Sequence, residues 1–158
     1  FGACAGLALA QDTPAAPPPA QPPAAADPAN GLAAWDKLFA VFSHTRCANC
    51  HVEDDRPRWS GSHYGAEQRV HAFNIQRGVG GRGSAGLRCT SCHFENNSAV
   101  LHGPPGAHDW HLAPASMAWF GKSSAEICAQ IKDPARNGNR SLEAVAAHIR
   151  DDKLVAWG

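Results

Sequence analysis

The chain has 158 residues, room for one domain and a tail, and its 14 basic side chains balance 14 acidic ones, a formal charge of zero with histidine neutral. With no basic run and no aromatic residues interleaved among basic ones, it offers no footing for nucleic acid or for an anionic membrane surface. The unusual entries in its composition are 9 histidines and 5 tryptophans against one methionine and one tyrosine.

The opening stretch FGACAGLALA, residues 1–10, is short, apolar and closed by Ala8-Leu9-Ala10, which reads as the end of a secretory signal with an A-x-A cleavage site. It is too short to span a bilayer. A second reading makes Phe1-Gly2-Ala3-Cys4 a lipoprotein-type site with Cys4 lipidated, although phenylalanine fits poorly three residues before such a cysteine. Either reading exports the chain to the periplasm or cell envelope and allows membrane association through this segment. Residues 11–30 are almost entirely alanine, proline and glutamine. They cannot bury a core and are expected to form an extended polyproline-like arm, reaching about 60 Å when fully stretched.

Residues 31–158 are expected to form one domain. Leu32, Trp35, Leu38, Phe39 and Phe42 recur at the three-and-four spacing of a helix over Gly31 to His44, with Asn30 as its N-cap. From Val52 to Gly86 no helical period persists, and GVGGRGSAG at Gly78 to Gly86 breaks the chain repeatedly. A loop of that length needs an organiser beyond its own side chains. Pro104, Pro105, Gly106 and Pro114 forbid a continuous helix between His102 and Pro114. Ser123 and Glu126 form a capping box that opens a helix over Ala125 to Asp133, with Ile127, Cys128 and Ile131 on one face. Ser141 caps a last helix, Leu142 to Asp151, with Leu142, Val145 and Ile149 facing inward. No strand is expected. The fold class is mainly α with extensive irregular structure.

Two short motifs carry the chemistry. Cys47-Ala48-Asn49-Cys50-His51 is followed by Cys89-Thr90-Ser91-Cys92-His93. Two cysteines three apart can ligate a metal, form a redox disulfide or add across the two vinyl groups of a haem. The adjoining histidine selects the last, because in C-x-x-C-H the thiols become thioethers and the imidazole the proximal iron ligand. Zinc is the alternative, but its cysteine pairs usually lie about 15–20 residues apart, far closer than Cys50 and Cys89, and it has no use for a histidine after each pair. Two haem c groups are therefore expected, on Cys47, Cys50 and His51, and on Cys89, Cys92 and His93. Their apolar surface would organise the loops, with Gly80, Gly81 and Gly83 permitting close approach to a ring or to another segment.

Each iron then needs a sixth ligand, whose identity sets the potential and separates a carrier from an enzyme. His71 in HAFNIQRG and His111 in DWHLAP are the favoured distal ligands, and Met117, His44 and His148 are alternatives. His63, His102 and His108 read as polar surface. Cys128 reads as a buried free thiol. Arg46, Arg58, Arg69, Arg77, Arg82 and Arg88 surround the motifs and would together offset haem propionates, while each singly reads as solvated surface.

Taken in order, HTRCANCH, HAFNIQRG, GLRCTSCH, GPPG, WHLAP with Met117 and Trp119, ICAQIKDPARNGNR, His148 and LVAWG resemble a family of exported bacterial dihaem cytochromes c. Members are often labelled the cytochrome subunit of isoquinoline 1-oxidoreductase. The resemblance covers roughly His44 to Gly158 and leaves out the leader and the proline-rich arm. It implies an electron-transfer protein, not an enzyme, whose partner is a periplasmic oxidoreductase such as a molybdenum hydroxylase, or a respiratory or photosynthetic chain component. The shared motifs contain His44, His71, His111, Met117 and His148 without ranking them. Two other readings stay open: a peroxidase-like dihaem enzyme with one open iron, and a structural subunit of a larger haem assembly or filament.

Overall fold

The computed structural model describes residues 27–59, 69–100 and 103–157. The expectations for the leader, for Cys4, for most of the proline-rich arm and for His63 and His102 lie outside them. Among the described residues the architecture is mainly helical, with few strands and long irregular segments. No helix there is long and apolar enough to cross a membrane.

Helix α1, Pro28–Phe42, starts before its expected position. Asp27, not Asn30, is the N-cap: its carboxylate accepts from the Ala29 N–H at 3.0 Å, and Pro28, which lacks an N–H to satisfy, sits in the first turn. Three residues assigned to the extended arm are thus helical. At the other end α1 stops at Phe42, and the Ser43 N–H and hydroxyl both donate to the Phe39 carbonyl, at 2.9 and 2.7 Å. His44 does not continue this helix. Its extended backbone opens a separate turn, α2, Thr45–Ala48, and its Nδ1 accepts from the Arg46 N–H at 3.2 Å.

Helix α3, Ser124–Lys132, carries the expected capping box, with Ser123 and Glu126 bonded in both directions. Helix α4, Leu142–Asp151, is capped by Ser141, whose hydroxyl accepts from the Ala144 N–H at 3.2 Å. The turn between them is held by buried Asn137, whose amide donates to the carbonyls of Ile131 and Arg140 at 2.8 and 3.0 Å. Helices α1, α3 and α4 meet over Phe42, Trp119, Ile127, Ile131 and Val145. Trp35 packs at its edge and donates its indole N–H to the Ser124 hydroxyl at 2.7 Å, tying α1 to the first turn of α3. This contact uses a narrow stripe of each helix. Leu32, Leu38 and Leu142, expected inside, are left exposed.

One pair of strands was not expected: β1, Gly83–Ser84, pairs antiparallel with β2, Leu87–Arg88. Two residues cannot display an alternating pattern, so no period announces them. The hairpin matters because β2 runs directly into Cys89. The long irregular segment is fastened at its base by the Arg58–Val70 bridge, by the His71 N–H to the Pro57 carbonyl at 3.0 Å and by the Arg77 N–H to the Asp55 carbonyl at 2.6 Å. At Gly81, φ +76°, a Cβ would stand 2.5 Å from the Leu112 carbonyl oxygen, so this glycine lets two segments lie flush. The same Gly81 carbonyl accepts from the Leu112 N–H at 2.8 Å.

Candidate functional site

Both motifs wind into one tight turn with the same bonds. The Cys50 and His51 N–H groups return to the Cys47 carbonyl, each at 3.2 Å, and those of Cys92 and His93 return to the Cys89 carbonyl at 3.2 and 3.0 Å. Residues three and four apart on such a turn share a face. Each motif therefore carries two thiols and an imidazole on one turn.

Each histidine is then gripped from behind by a later segment. The His51 Nδ1–H donates to the Met117 carbonyl at 2.8 Å, and its ring lies parallel to Trp119, 3.5 Å between centroids and 3° between planes. The His51 carbonyl also accepts from the N–H groups of Trp119 and Phe120 at 2.8 and 3.0 Å. His93 repeats the scheme: its Nδ1–H donates to the Pro105 carbonyl at 2.7 Å, and its ring stacks on Trp110 at 4.5 Å and 7°. A carbonyl can only accept, so both rings carry their proton on Nδ1 and keep the lone pair on Nε2. The Pro105 carbonyl is held in turn by Gly106, where a Cβ would meet the Asn96 carbonyl oxygen at 2.1 Å.

Burial works in the same direction. It lowers the His51 pKa to about 4, with the nearby charges of Arg77 and His148 adding to the effect and the Met117 bond opposing it. His93 is lowered by burial and by His71, against its bond to Pro105. Both imidazoles are neutral at pH 7, the form that binds a metal. Burial also raises the thiols of Cys47 and Cys89, and takes Cys50 up to about 12. Such thiols are poor thiolate ligands or redox nucleophiles. Among the described residues no three His, Cys, Asp or Glu side chains form a group that could hold a metal ion.

The motifs are neighbours. The Cys50 pKa feels the Cys89 thiol, after the larger effect of burial. Trp157 joins the two sides, packing edge-on against Trp110 with centroids 5.4 Å apart while Arg46, next to Cys47, lies 5.4 Å over its ring. Cys92 is exposed and lines a solvent-open cleft with Phe94, Asn96, Ser98 and Pro104.

The distal candidates fare differently. His71 faces His93, with ring centroids 6.0 Å apart and planes inclined at 52°, and its own Nδ1–H donates to the Ala72 carbonyl at 3.0 Å. Among the described residues no other histidine ring contacts either motif histidine. His148 has Nδ1 at 3.4 Å from the Asp152 carboxylate and contributes to the electrostatics of His51. His111 bonds the Asp109 carbonyl of its own loop; burial lowers its pKa, and Arg82 lowers it further while Asp152 opposes. Met117 lends its carbonyl to the Nδ1 side of His51, and its side chain packs on the helical core. His44 spends its Nδ1 lone pair on the helix cap. His108, placed on the surface by the sequence, is exposed and pairs with Glu95 at 2.9 Å. Cys128 is half-buried.

Sequence reasoning missed three participants. Trp110 and Trp119, both downstream of the second motif, back the two histidines, and the signal was the tryptophan excess. Arg77, read as surface, is buried at 9 % exposure because its guanidinium ties together separate backbone segments. Comparison with protein-family models, with curated proteins and with solved structures found no match.

Proposed function

We propose that this chain is an exported dihaem c-type cytochrome that passes electrons between a redox partner and an acceptor. The observation that carries the reading is the duplicated arrangement at His51 and His93: two thiols on one turn, Nδ1 held by a carbonyl, the lone pair left on Nε2 and the ring stacked on tryptophan. This donor set suits haem c, with Cys47 and Cys50 or Cys89 and Cys92 for the thioethers. Haem so held would supply reversible one-electron chemistry at iron.

The chain's own residues favour a carrier over an enzyme with an open iron. His71, whose ring lies 6.0 Å from that of His93, would be the distal residue for that site. For the His51 site we assign His148, carried by the helix whose Val145 and Ile149 pack with Trp119, and oriented by Asp152 in the manner of a carboxylate–histidine pair. The carbonyls and tryptophans hold both proximal rings fixed, which keeps rearrangement small when the charge changes. The resemblance to exported dihaem cytochromes points to a periplasmic oxidoreductase as the partner.

Intact-mass measurement with haem-stained gels tests the reading. Two covalent haems are expected on native protein. Colourless protein, or zinc in place of iron, overturns it.

A further inference from the structure

Phe73 is held where a bulky side chain rarely goes. Its φ of 59° lies in the left-handed region, its ring is 82 % exposed, and Asn74 after it repeats the conformation at φ 54°. Asparagine tolerates that region through its short polar side chain, whereas phenylalanine does not, so the turn Ala72–Asn74 stores strain at Phe73. So exposed a ring recovers little of that cost by packing. What opposes the strain is polar: the Arg56 guanidinium donates to the Asn74 side-chain oxygen, and the Arg56 N–H is itself fixed on the Asp54 carboxylate at 3.0 Å.

This turn follows His71 directly. The chain is fixed before it, where the His71 N–H donates to the Pro57 carbonyl at 3.0 Å, and after it, where buried Arg77 donates its N–H to Asp55 at 2.6 Å. Between those points none of Ala72, Phe73 and Asn74 is buried. The two motif histidines have their Nδ1–H received by carbonyls of distant segments, but that of His71 goes to Ala72, its own neighbour, which moves with it. Few buried contacts and a local partner mark a segment that opens at low cost. His148 is placed otherwise, on α4, where no residue has a positive φ.

Resting on the haem reading above, we propose that the strained turn at Phe73 is a strap that releases His71 from the iron at His93 and opens that site to a small ligand from solution, while the His51 site stays closed. In the exchange the bond from iron to the His71 Nε2 breaks and a bond from iron to the incoming ligand forms, with no electron gained or lost. Phe73 then leaves the left-handed region, and the strain it sheds offsets part of the broken bond. Arg56 works against release by holding Asn74.

Carbon monoxide is the probe, mixed rapidly with the reduced native protein and its variants, the haem count of each checked by intact mass. Binding by the parent is expected to be slow and small in extent, its rate levelling off at high carbon monoxide at a ceiling set by the departure of His71. In His71→Ala nothing has to leave, so its fast phase identifies the haem at His93. Phe73→Gly and Phe73→Asn are at ease in the left-handed region and should lower the ceiling about fivefold, the lower end of the cost of one such residue. Phe73→Ala keeps the strain and loses only the ring, so its ceiling should match the parent, while Arg56→Ala should raise it. Because Phe73 is exposed, replacing it empties no core. Three results overturn the inference alone: no binding to the parent at the His93 haem, equal ceilings in the parent and in the glycine and asparagine variants, or a fall in Phe73→Ala as large as in Phe73→Gly. A mass lacking two haems overturns the haem reading and this inference with it.

Discussion

His71 and His93 face each other with ring centroids 6.0 Å apart, each imidazole having its Nδ1 engaged by a backbone carbonyl. On the proposed dihaem reading, these two rings would ligate one iron. Replacing His71 with alanine should therefore leave both haems attached and make one of them reactive toward carbon monoxide in the reduced state. Parent protein should bind little. Equal, slow binding in parent and variant would remove His71 from iron ligation.

Trp119 combines two roles, packing with Phe42 at 4.9 Å and backing His51 at 3.5 Å. Truncating a buried tryptophan to alanine costs about 3–5 kcal/mol. Trp119→Ala should accordingly lower the thermal midpoint, read by circular dichroism, and, on the proposed reading, broaden the electron paramagnetic resonance signal of the haem at His51. Trp119→Phe keeps a ring and should lose much less.

Two glycines should respond oppositely to alanine. Gly31 lies inside α1 with nothing within 4 Å of an added Cβ, so Gly31→Ala should stabilise by about 0.5–1 kcal/mol. Gly81 combines φ +76° with the Leu112 carbonyl oxygen 2.5 Å away, so Gly81→Ala must shift backbone and should destabilise clearly. Denaturant midpoints of both variants against parent would show the sign of each.

The α3 capping box makes stability depend on pH. The Ser123 N–H and hydroxyl donate to the Glu126 carboxylate at 2.8 and 2.7 Å and hold its pKa below the ordinary value. A depressed carboxylate stabilises above its unfolded pKa, about 4.3, and that contribution disappears as pH falls through the folded value. The stability difference between parent and Glu126→Gln should thus shrink as pH falls from neutral through the carboxylate range. Ser123→Ala removes the cap itself, and a loss of about 1 kcal/mol is expected.

Local chemistry sufficed for some of this protein. The capping residues Ser123 and Ser141, the helices they open and the two CxxCH turns each depend on neighbours within four positions, and all were readable from the chain. Even there the limits were local competition: Asp27 with Pro28 outbid Asn30 as a cap, and His44 ended one helix by starting another.

What tertiary structure alone decided lies across long separations. Nothing near His93 in sequence indicates that Pro105 will hold its nitrogen, Trp110 back its ring and His71 stand opposite. Seven histidines beyond the two motifs offered a choice that composition could not narrow. Arg77 shows the reason most directly, because its burial follows from the meeting of Val52, Asp54 and Ala113 around it and from no property of its own neighbourhood. Spacing along the chain determines which groups share a turn, whereas only the folded path determines which turns face one another.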